Sequence, residues 1–211
     1  ANPQPERLDN FNASMAGATQ GKAMGAIVAS WLAIVLYLWL RFGNWTFGLA
    51  ALLCLVHDLF FTLGAIAVCH YLVGVPGLSA IFQLQDFKID LPAVAALLTL
   101  VGYSVNDTIV VFDRIRENLA RHAGAPFADI VNHSVVQTLG RSLNTTVTVL
   151  MTLLALLVFA GGSIRIFVLA LFVGILSGTY SSIFNASALL VTWHEWSEGR
   201  RQREFAAVRS R

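Results

Sequence analysis

Hydrophobic residues dominate five long stretches of the chain, and short polar or charged segments separate these stretches. An α-helix rises about 1.5 Å per residue, so about 20 apolar residues cross a bilayer core that is roughly 30 Å thick. Each stretch is close to that length or exceeds it, and the pattern therefore predicts five transmembrane helices. They cover about residues 23–40, 46–73, 92–112, 139–159 and 164–192.

Composition favours the same fold class. Of the 211 residues, 56% are hydrophobic and only 12% are charged, whereas soluble domains average about 25% charged residues. We expect an all-α integral membrane protein with one membrane domain, residues 21–196, between a polar N-terminal end, 1–20, and a basic tail, 197–211. The net charge of +2 is too small to indicate a nucleic-acid partner. The sequence shows no metal-ligand cluster, phosphate-binding glycine loop or nucleophile–base arrangement, so we predict no cofactor and no enzyme activity.

The third stretch, DLPAVAALLTLVGYSVNDTIVVFDRIRENLAR, carries an acidic residue at hydrocarbon depth, Asp107. It lies about 9 Å before Asp113 along a helix axis. An aspartate at the centre of a transmembrane helix costs roughly 2.5–3.5 kcal/mol, so it needs a compensating role. One interpretation is a helix-packing hydrogen bond, supported by Ser104 and Tyr103 on the same face. The other is a site that gains and loses a proton, because burial favours a neutral carboxyl and a nearby cation favours the ionised form.

The fourth stretch begins with unusually polar residues. Arg141 could be a snorkelling side chain at the membrane boundary. However, Asn144, Thr145 and Thr148 lie three, four and seven residues further on and extend one polar face into the bilayer. Such a face usually contacts other helices or water. Arg141 is therefore the best candidate in the sequence for the cation beside Asp107.

The second stretch contains the adjacent pair His57 and Asp58. On a regular helix, neighbouring side chains point about 100° apart, so we do not expect these two to form one site. Each is expected to make a helix-packing contact, with a place on a proton route as the alternative. Cys54 and Cys69 are about 22 Å apart on a continuous helix, so both are expected to be free packing residues.

The fifth stretch carries small residues at spacings of three and four. Such a stripe lets helices approach closely, and we interpret it as a packing surface. Its members are Gly174, Ser177, Gly178, Ser181 and Ser182.

The connecting segments are short. Residues 126–135 have helical spacing and predict a separate short helix on the membrane surface. Residues 75–88 predict a loop that lies partly against the membrane, and Gly161–Gly162 predicts a tight turn. The first residues are polar and contain no signal peptide, so we expect the N-terminus to be a cut or processed end of a longer protein.

Basic residues favour one orientation of the five helices. If the C-terminus is cytoplasmic, ten of the 14 lysines and arginines fall on the cytoplasmic side. The positive-inside rule therefore predicts a periplasmic N-terminus and a cytoplasmic C-terminus. Asp107 and Arg141 then both lie in the cytoplasmic half of the bundle.

Four segments carry recognisable motifs: IDLPAVAALLTLVGYSVNDTIVVFDRIRENL, VNHSVVQTLGRSLNTTVTVL, GILSGTYSSIF and HDLFFTLG. They closely resemble the SecD/SecF family of bacterial protein-export membrane proteins, in its SecF branch. The resemblance extends from about Gly21 to Trp193. In the SecD branch the acidic residue falls one position earlier, where this chain has Asn106.

The resemblance implies a bundle similar to half of the membrane domain of a resistance-nodulation-division transporter. It also implies a SecD partner, or the SecD half of a fusion, that works beside the SecYEG channel on a translocating polypeptide in the inner membrane. Family members conduct protons through intramembrane charges, and Asp107 and Arg141 match the acidic and basic positions of the SecF motifs. The candidate supporting polar residues are Asn106, Ser104, Asn144, Thr145 and Asp58. The resemblance also implies an earlier span and a periplasmic domain before this segment, so we expect the chain to be the C-terminal membrane part of a SecF or of a SecD–SecF fusion.

Two other functions fit the same intramembrane charges. A proton-coupled exporter of lipids or small molecules would need a substrate cavity, and no aromatic-lined polar cluster indicates one. A membrane scaffold without proton chemistry would use Asp107 and Arg141 only to hold helices together.

Overall fold

The computed structural model describes residues 13–72, 91–122, 124–159 and 162–209. The helices are α1 (Ala13–Phe42), α2 (Trp45–Leu72), α3 (Leu91–Arg121), α4 (Phe127–Phe159), α5 (Gly162–Tyr180) and α6 (Ala186–Arg209), and a π-helical turn, Ser181–Asn185, joins α5 to α6. Five helical segments, with α5–α6 counted as one, are long and apolar enough to cross a membrane. The predicted fold class is confirmed. The predicted loop at 75–88 lies outside the described residues.

Helix α4 corrects one prediction. The separate surface helix predicted at 126–135 is wrong, because one unbroken helix runs from Phe127 to Phe159. No proline follows Pro126 within this helix, and its buried positions continue at spacings of three and four from Ile130 to Thr146. The same buried face therefore serves the region outside the apolar span and the span itself.

The last two helices also extend beyond the predicted span of 164–192. The helical chain begins at Gly162 and continues through the π turn to Arg209, so it includes most of the predicted basic tail. Of the predicted Gly161–Gly162 turn, only Gly162 is described, and it is the first residue of α5.

Helices α3 and α5–α6 form the centre of the bundle. In their most apolar 18-residue segments, 50% and 61% of the residues are buried, against 6% in α1. Two hydrophobic clusters make up the core, one around Leu100 and Ile175 and the other around Phe112 and Ala186. Buried polar residues lie between these clusters, within 104–108 on α3 and within 177–182 on α5 and the π turn. A polar layer therefore crosses the interior of the bundle.

The ends of α1, α2 and α3 are fixed to one another. Gly43 adopts a φ of 68° in the turn between α1 and α2, a conformation that glycine adopts without steric cost. The Arg41 guanidinium donates a hydrogen bond to the Asp113 carboxylate at 2.9 Å. The Phe112 ring packs edge-on against Phe42 and Phe47. These contacts place Asp113 at the same level as the α1–α2 turn.

Glycines on α5 let α3 approach closely, as the stripe of small residues predicts. A Cβ atom added to Gly174 would lie 2.5 Å from a methyl carbon of Leu100, and one added to Gly178 would lie 3.1 Å from the Ser104 hydroxyl. The prediction that this stripe is a packing surface is confirmed at these two positions.

Gly174→Ala should lower the free energy of unfolding by about 1–3 kcal/mol, because the new methyl group overlaps the Leu100 side chain. The matched control is Gly64→Ala on α2, where an added Cβ meets nothing within 4 Å. Unfolding of the purified protein by a denaturing detergent would measure both. Equal midpoints for the two variants would contradict the close approach.

Candidate functional site

Asp107 lies in the buried polar layer, on the side of α3 that faces α4 and α5. Only 4% of the residue is exposed, and its Oδ2 atom is buried without a hydrogen-bond partner. Its polar neighbours are the Thr179 hydroxyl and, through electrostatic interaction, the Arg141 guanidinium. A buried polar atom without a partner carries a desolvation cost of about 1–3 kcal/mol. Asp107 is therefore a costly group that packing alone does not explain.

Hydroxyl groups from two helices close the surroundings of Asp107. The Thr146 and Thr179 hydroxyls lie 2.8 Å apart and join α4 to α5. The Ser142 hydroxyl, one helical turn before Thr146 on α4, is also buried without a hydrogen-bond partner. This layer contains more hydrogen-bonding capacity than it uses in the arrangement seen here.

Arg141 is the predicted cation for Asp107, and the structure does not place the two in direct contact. Among the described residues, Arg141 makes no ion pair within 4 Å, and its side chain is exposed on the outside of α4. Asn144 and Thr148 are also exposed, whereas Thr145 is half-buried. The predicted polar face of α4 therefore points mostly away from this chain, and the proton-transfer role of Arg141 stays a prediction.

Asn106, on α3, is exposed as well, although Asp107 beside it is buried. A transmembrane helix with polar residues on an exposed face usually contacts protein or water there.

The Ser104 hydroxyl does not donate a hydrogen bond to Asp107, as the sequence suggested it would. It donates instead to Oδ2 of Asp58 at 2.7 Å.

Asp58 is the centre of the most complete polar network among the described residues. The carboxyl is fully buried and accepts hydrogen bonds from three serine hydroxyls. Ser104 and Ser181 each donate to Oδ2 at 2.7 Å, and Ser177 donates to Oδ1 at 3.2 Å. The network ties α2 to α3, α5 and the π turn.

His57 and Asp58 correct a further prediction, because they do form one unit. The Nδ1 atom of His57 lies 3.2 Å from Oδ1 of Asp58. The expectation used the angle between Cβ directions on a helix, whereas rotation about two χ angles brings the two side-chain ends together. Both cysteines are free, as predicted.

Two adjacent serines of the π turn contact different helices. Ser181 donates to Asp58 on α2, and Ser182 lies 2.8 Å from the Thr108 hydroxyl on α3. π-helical turns inside α-helices occur frequently at functional sites. The sequence pattern predicted only a packing role for these serines. Hydroxyls at 177 and 181, four residues apart, were the available signal for a hydrogen-bonding role.

Comparisons with known proteins agree on one family. A family model described as "Protein export membrane protein SecD/SecF, C-terminal" matches residues 2–196. The chain is 52% identical over 147 residues to "Protein translocase subunit SecF" of Thermobaculum terrenum, which covers 70% of this chain and 43% of that protein. It is 43% identical over 190 residues to "Protein translocase subunit SecDF" of Thermus thermophilus, covering 85% of this chain and 23% of that one.

Solved structures give the same result. A crystal structure of SecDF from Thermus thermophilus, described as a translocon-associated membrane protein, superposes with a TM-score of 0.67 at 43% identity. It covers 82% of this chain and 22% of that chain. SecDF in a "Super-membrane-facing form" gives a TM-score of 0.65 at 44% identity, covering 84% and 21%. The chain spans about half or less of the length of the curated relatives named above.

Proposed function

Because the chain belongs to the SecD/SecF family of protein export membrane proteins, we propose that it is the membrane part of a SecF-like subunit that assists polypeptide export. Relatives named as translocase subunits SecF and SecDF support this proposal. The proposed energy source is the proton gradient, and the proposed partners are SecD, the SecYEG channel, the moving polypeptide and the surrounding lipid. The proposed location is the bacterial inner membrane.

The observation that carries the proton-gradient proposal is the buried, unpartnered Oδ2 atom of Asp107. A low-dielectric interior favours the neutral carboxyl, whereas an approaching cation favours the carboxylate. Arg141 lies within electrostatic range of Asp107 and makes no ion pair among the described residues. A small displacement of α4 relative to α3 would therefore change which form is favoured, and Asp107 would bind a proton in one arrangement and release it in the other.

The membrane potential supplies enough energy for such a change. A charge that crosses 100 mV gains roughly 2.3 kcal/mol, which is more than a tenfold shift in a two-state equilibrium. The Ser142 hydroxyl on α4, which has no hydrogen-bond partner in this arrangement, is available as a partner in a second one.

The exposed polar face of this chain supports a protein partner in the membrane. Arg141, Asn144 and Thr148 on α4 and Asn106 on α3 are exposed at or near hydrocarbon depth. Contact with lipid tails at these positions would be costly, and contact with a second set of helices would remove that cost. A relative named as a SecDF subunit has additional chain beyond the matched region, and we propose that a SecD half covers this face.

The function is tested by import of a secretory precursor into inverted membrane vesicles that contain the full-length protein. We expect a gradient-dependent gain in import only when both this protein and its SecD partner are present. A protonophore should remove the gain and leave basal transport. A gain that persists without the partner or without the gradient would contradict the proposal.

The proposed orientation places the α3–α4 connection and the C-terminus in the cytoplasm. Ala125, which is exposed in that connection, can be replaced by cysteine after Cys54→Ala and Cys69→Ala. A membrane-impermeant maleimide should label Ala125→Cys in inverted vesicles and not in intact spheroplasts. Labelling in intact spheroplasts would reverse the orientation.

A further inference from the structure

A cavity of about 350 Å³ opens between α2 and the π turn with α6, away from Asp107. Leu53, Cys54 and Leu189 form part of its apolar wall, and His57, Asn185 and Thr192 supply polar side chains. His57 has 48% of its side chain exposed, whereas the Asp58 side chain is 1% exposed. The imidazole therefore separates the cavity from a fully buried carboxyl.

The hydrogen bonds of Asp58 suit a carboxylate. An ionised carboxyl is a pure acceptor with room for about four donors. Three serine hydroxyls donate to it, and the His57 Nδ1–H can be the fourth donor. Because the buried hydroxyls can all donate, the network does not need a proton on Asp58 itself.

Hydrogen-bond donors stabilise a carboxylate at this depth, and a positive charge beside it stabilises it further. Within the described residues, no lysine or arginine contacts Asp58, and His57 is its one partner that can become a cation. The titratable group nearby on α2 is the Cys54 thiol. The titratable groups on α3 are Tyr103 and Asp107, and neither of these two forms a hydrogen bond with His57 or Asp58. The facing residues from α5 and the π turn are serines. Neither α1, between Lys22 and Arg41, nor α6, as far as Thr192, carries a charged residue.

We propose that His57 and Asp58 form a second proton-binding site, separate from Asp107 and supplied with protons from this cavity. In the empty state, neutral His57 donates its Nδ1–H to the Asp58 carboxylate and presents Nε2 to the cavity. A proton from water binds Nε2, and the resulting imidazolium neutralises the carboxylate. Release of the Nε2 proton to water reverses the step. As a step in transport the site rests on the proposed export function, but proton binding to it does not.

Proton binding can be measured without export. The full-length complex in liposomes is titrated from high to low pH while its infrared difference spectrum is recorded, with isotope-labelled histidine to identify imidazole bands. We expect one imidazole signal to disappear in His57→Gln and to shift in Asp58→Asn. It should remain in Asp107→Asn, which removes only the carboxyl signal assigned to the proposed export switch. An unchanged histidine signal in His57→Gln would overturn the proposal, and so would loss of that signal in Asp107→Asn.

Access to water is tested separately. In a background of Cys54→Ala and Cys69→Ala, Ala188→Cys in the cavity wall should react with a charged, water-soluble thiol reagent. The matched control is Leu154→Cys on the outer, apolar side of α4, which is exposed in this chain and should face lipid. Equal and slow reaction at both positions would show a dry cavity and overturn the proposal, whatever the outcome of the export measurements.

Discussion

Asp107→Asn should abolish the gradient-dependent part of polypeptide export while the protein remains inserted and assembled. Asparagine keeps the size and hydrogen-bonding capacity of the neutral acid, but it cannot release a proton. The buried Oδ2 atom of Asp107 has no hydrogen-bond partner to lose, so we expect little change in stability. Import of a precursor into vesicles, with and without a protonophore, measures the effect.

The matched control is Asp113→Asn, six residues later on the same helix. Asp113 is 53% exposed and pairs with Arg41 at the surface, where an ion pair contributes at most about 1 kcal/mol. Asp113→Asn should leave the gradient-dependent gain in export unchanged. Equal losses in Asp107→Asn and Asp113→Asn would indicate a general effect of charge.

Arg141→Lys should reduce the gradient-dependent gain, because a flexible ammonium does not reproduce the planar guanidinium.

Asp58→Ala should lower the free energy of unfolding by about 2–4 kcal/mol, the largest stability effect that we expect from a single polar substitution. It removes the shared acceptor of Ser104, Ser177 and Ser181 at the point where α2, α3 and α5 meet. The freed hydroxyls would be buried with fewer partners.

Detergent-induced unfolding of the purified protein measures this loss. Asp113→Ala is the control, because it deletes the same atoms at an exposed position and should cost less than about 1 kcal/mol. Asp58→Asn should fall between the two variants, since its amide oxygen still accepts part of the network. If the midpoint of Asp58→Ala equalled that of Asp113→Ala, the network would not stabilise the bundle.

The two buried aspartates differ in their surroundings more than in their depth. Asp58 has a hydrogen-bond partner for each oxygen, whereas Asp107 has an oxygen with none. A satisfied network holds one geometry, and an unsatisfied group is ready to change its partner or its protonation. We therefore assign stability chiefly to the first and the proposed switch to the second.

Local sequence features were enough to predict the spans and the depth of Asp107, which the structure buries, whereas the role of Asp107 stays a prediction. A length of apolar sequence specifies a membrane helix, because the bilayer requires every backbone group to be paired within the segment. The sequence indicates Asp107 as a special position because it is a single acidic residue within such an apolar stretch. The continuous helix α4 from Phe127 was not predicted. The polar residues after Pro126 are typical of a surface segment, and the sequence does not show that they share a buried face with the apolar span.

The serine cage around Asp58 depends on tertiary structure, and no pattern within one helix encodes it. Ser104, Ser177 and Ser181 come from two segments that are more than 70 residues apart. The π turn that contains Ser181 and Ser182 has no propensity signal in the sequence. The pairing of His57 with Asp58 depends on side-chain rotamers, which the helical angle between neighbours does not predict.

Measurement of proton flux into liposomes during export tests most directly whether Asp107 carries the proton. Liposomes that contain the full-length protein, its SecD partner and the channel would carry a pH-sensitive dye while a precursor is translocated. Wild-type protein should move protons together with the precursor, and Asp113→Asn should do the same. Asp107→Asn should translocate at the basal rate without the accompanying proton flux. Undiminished proton flux in Asp107→Asn would contradict Asp107 as the group that carries the proton.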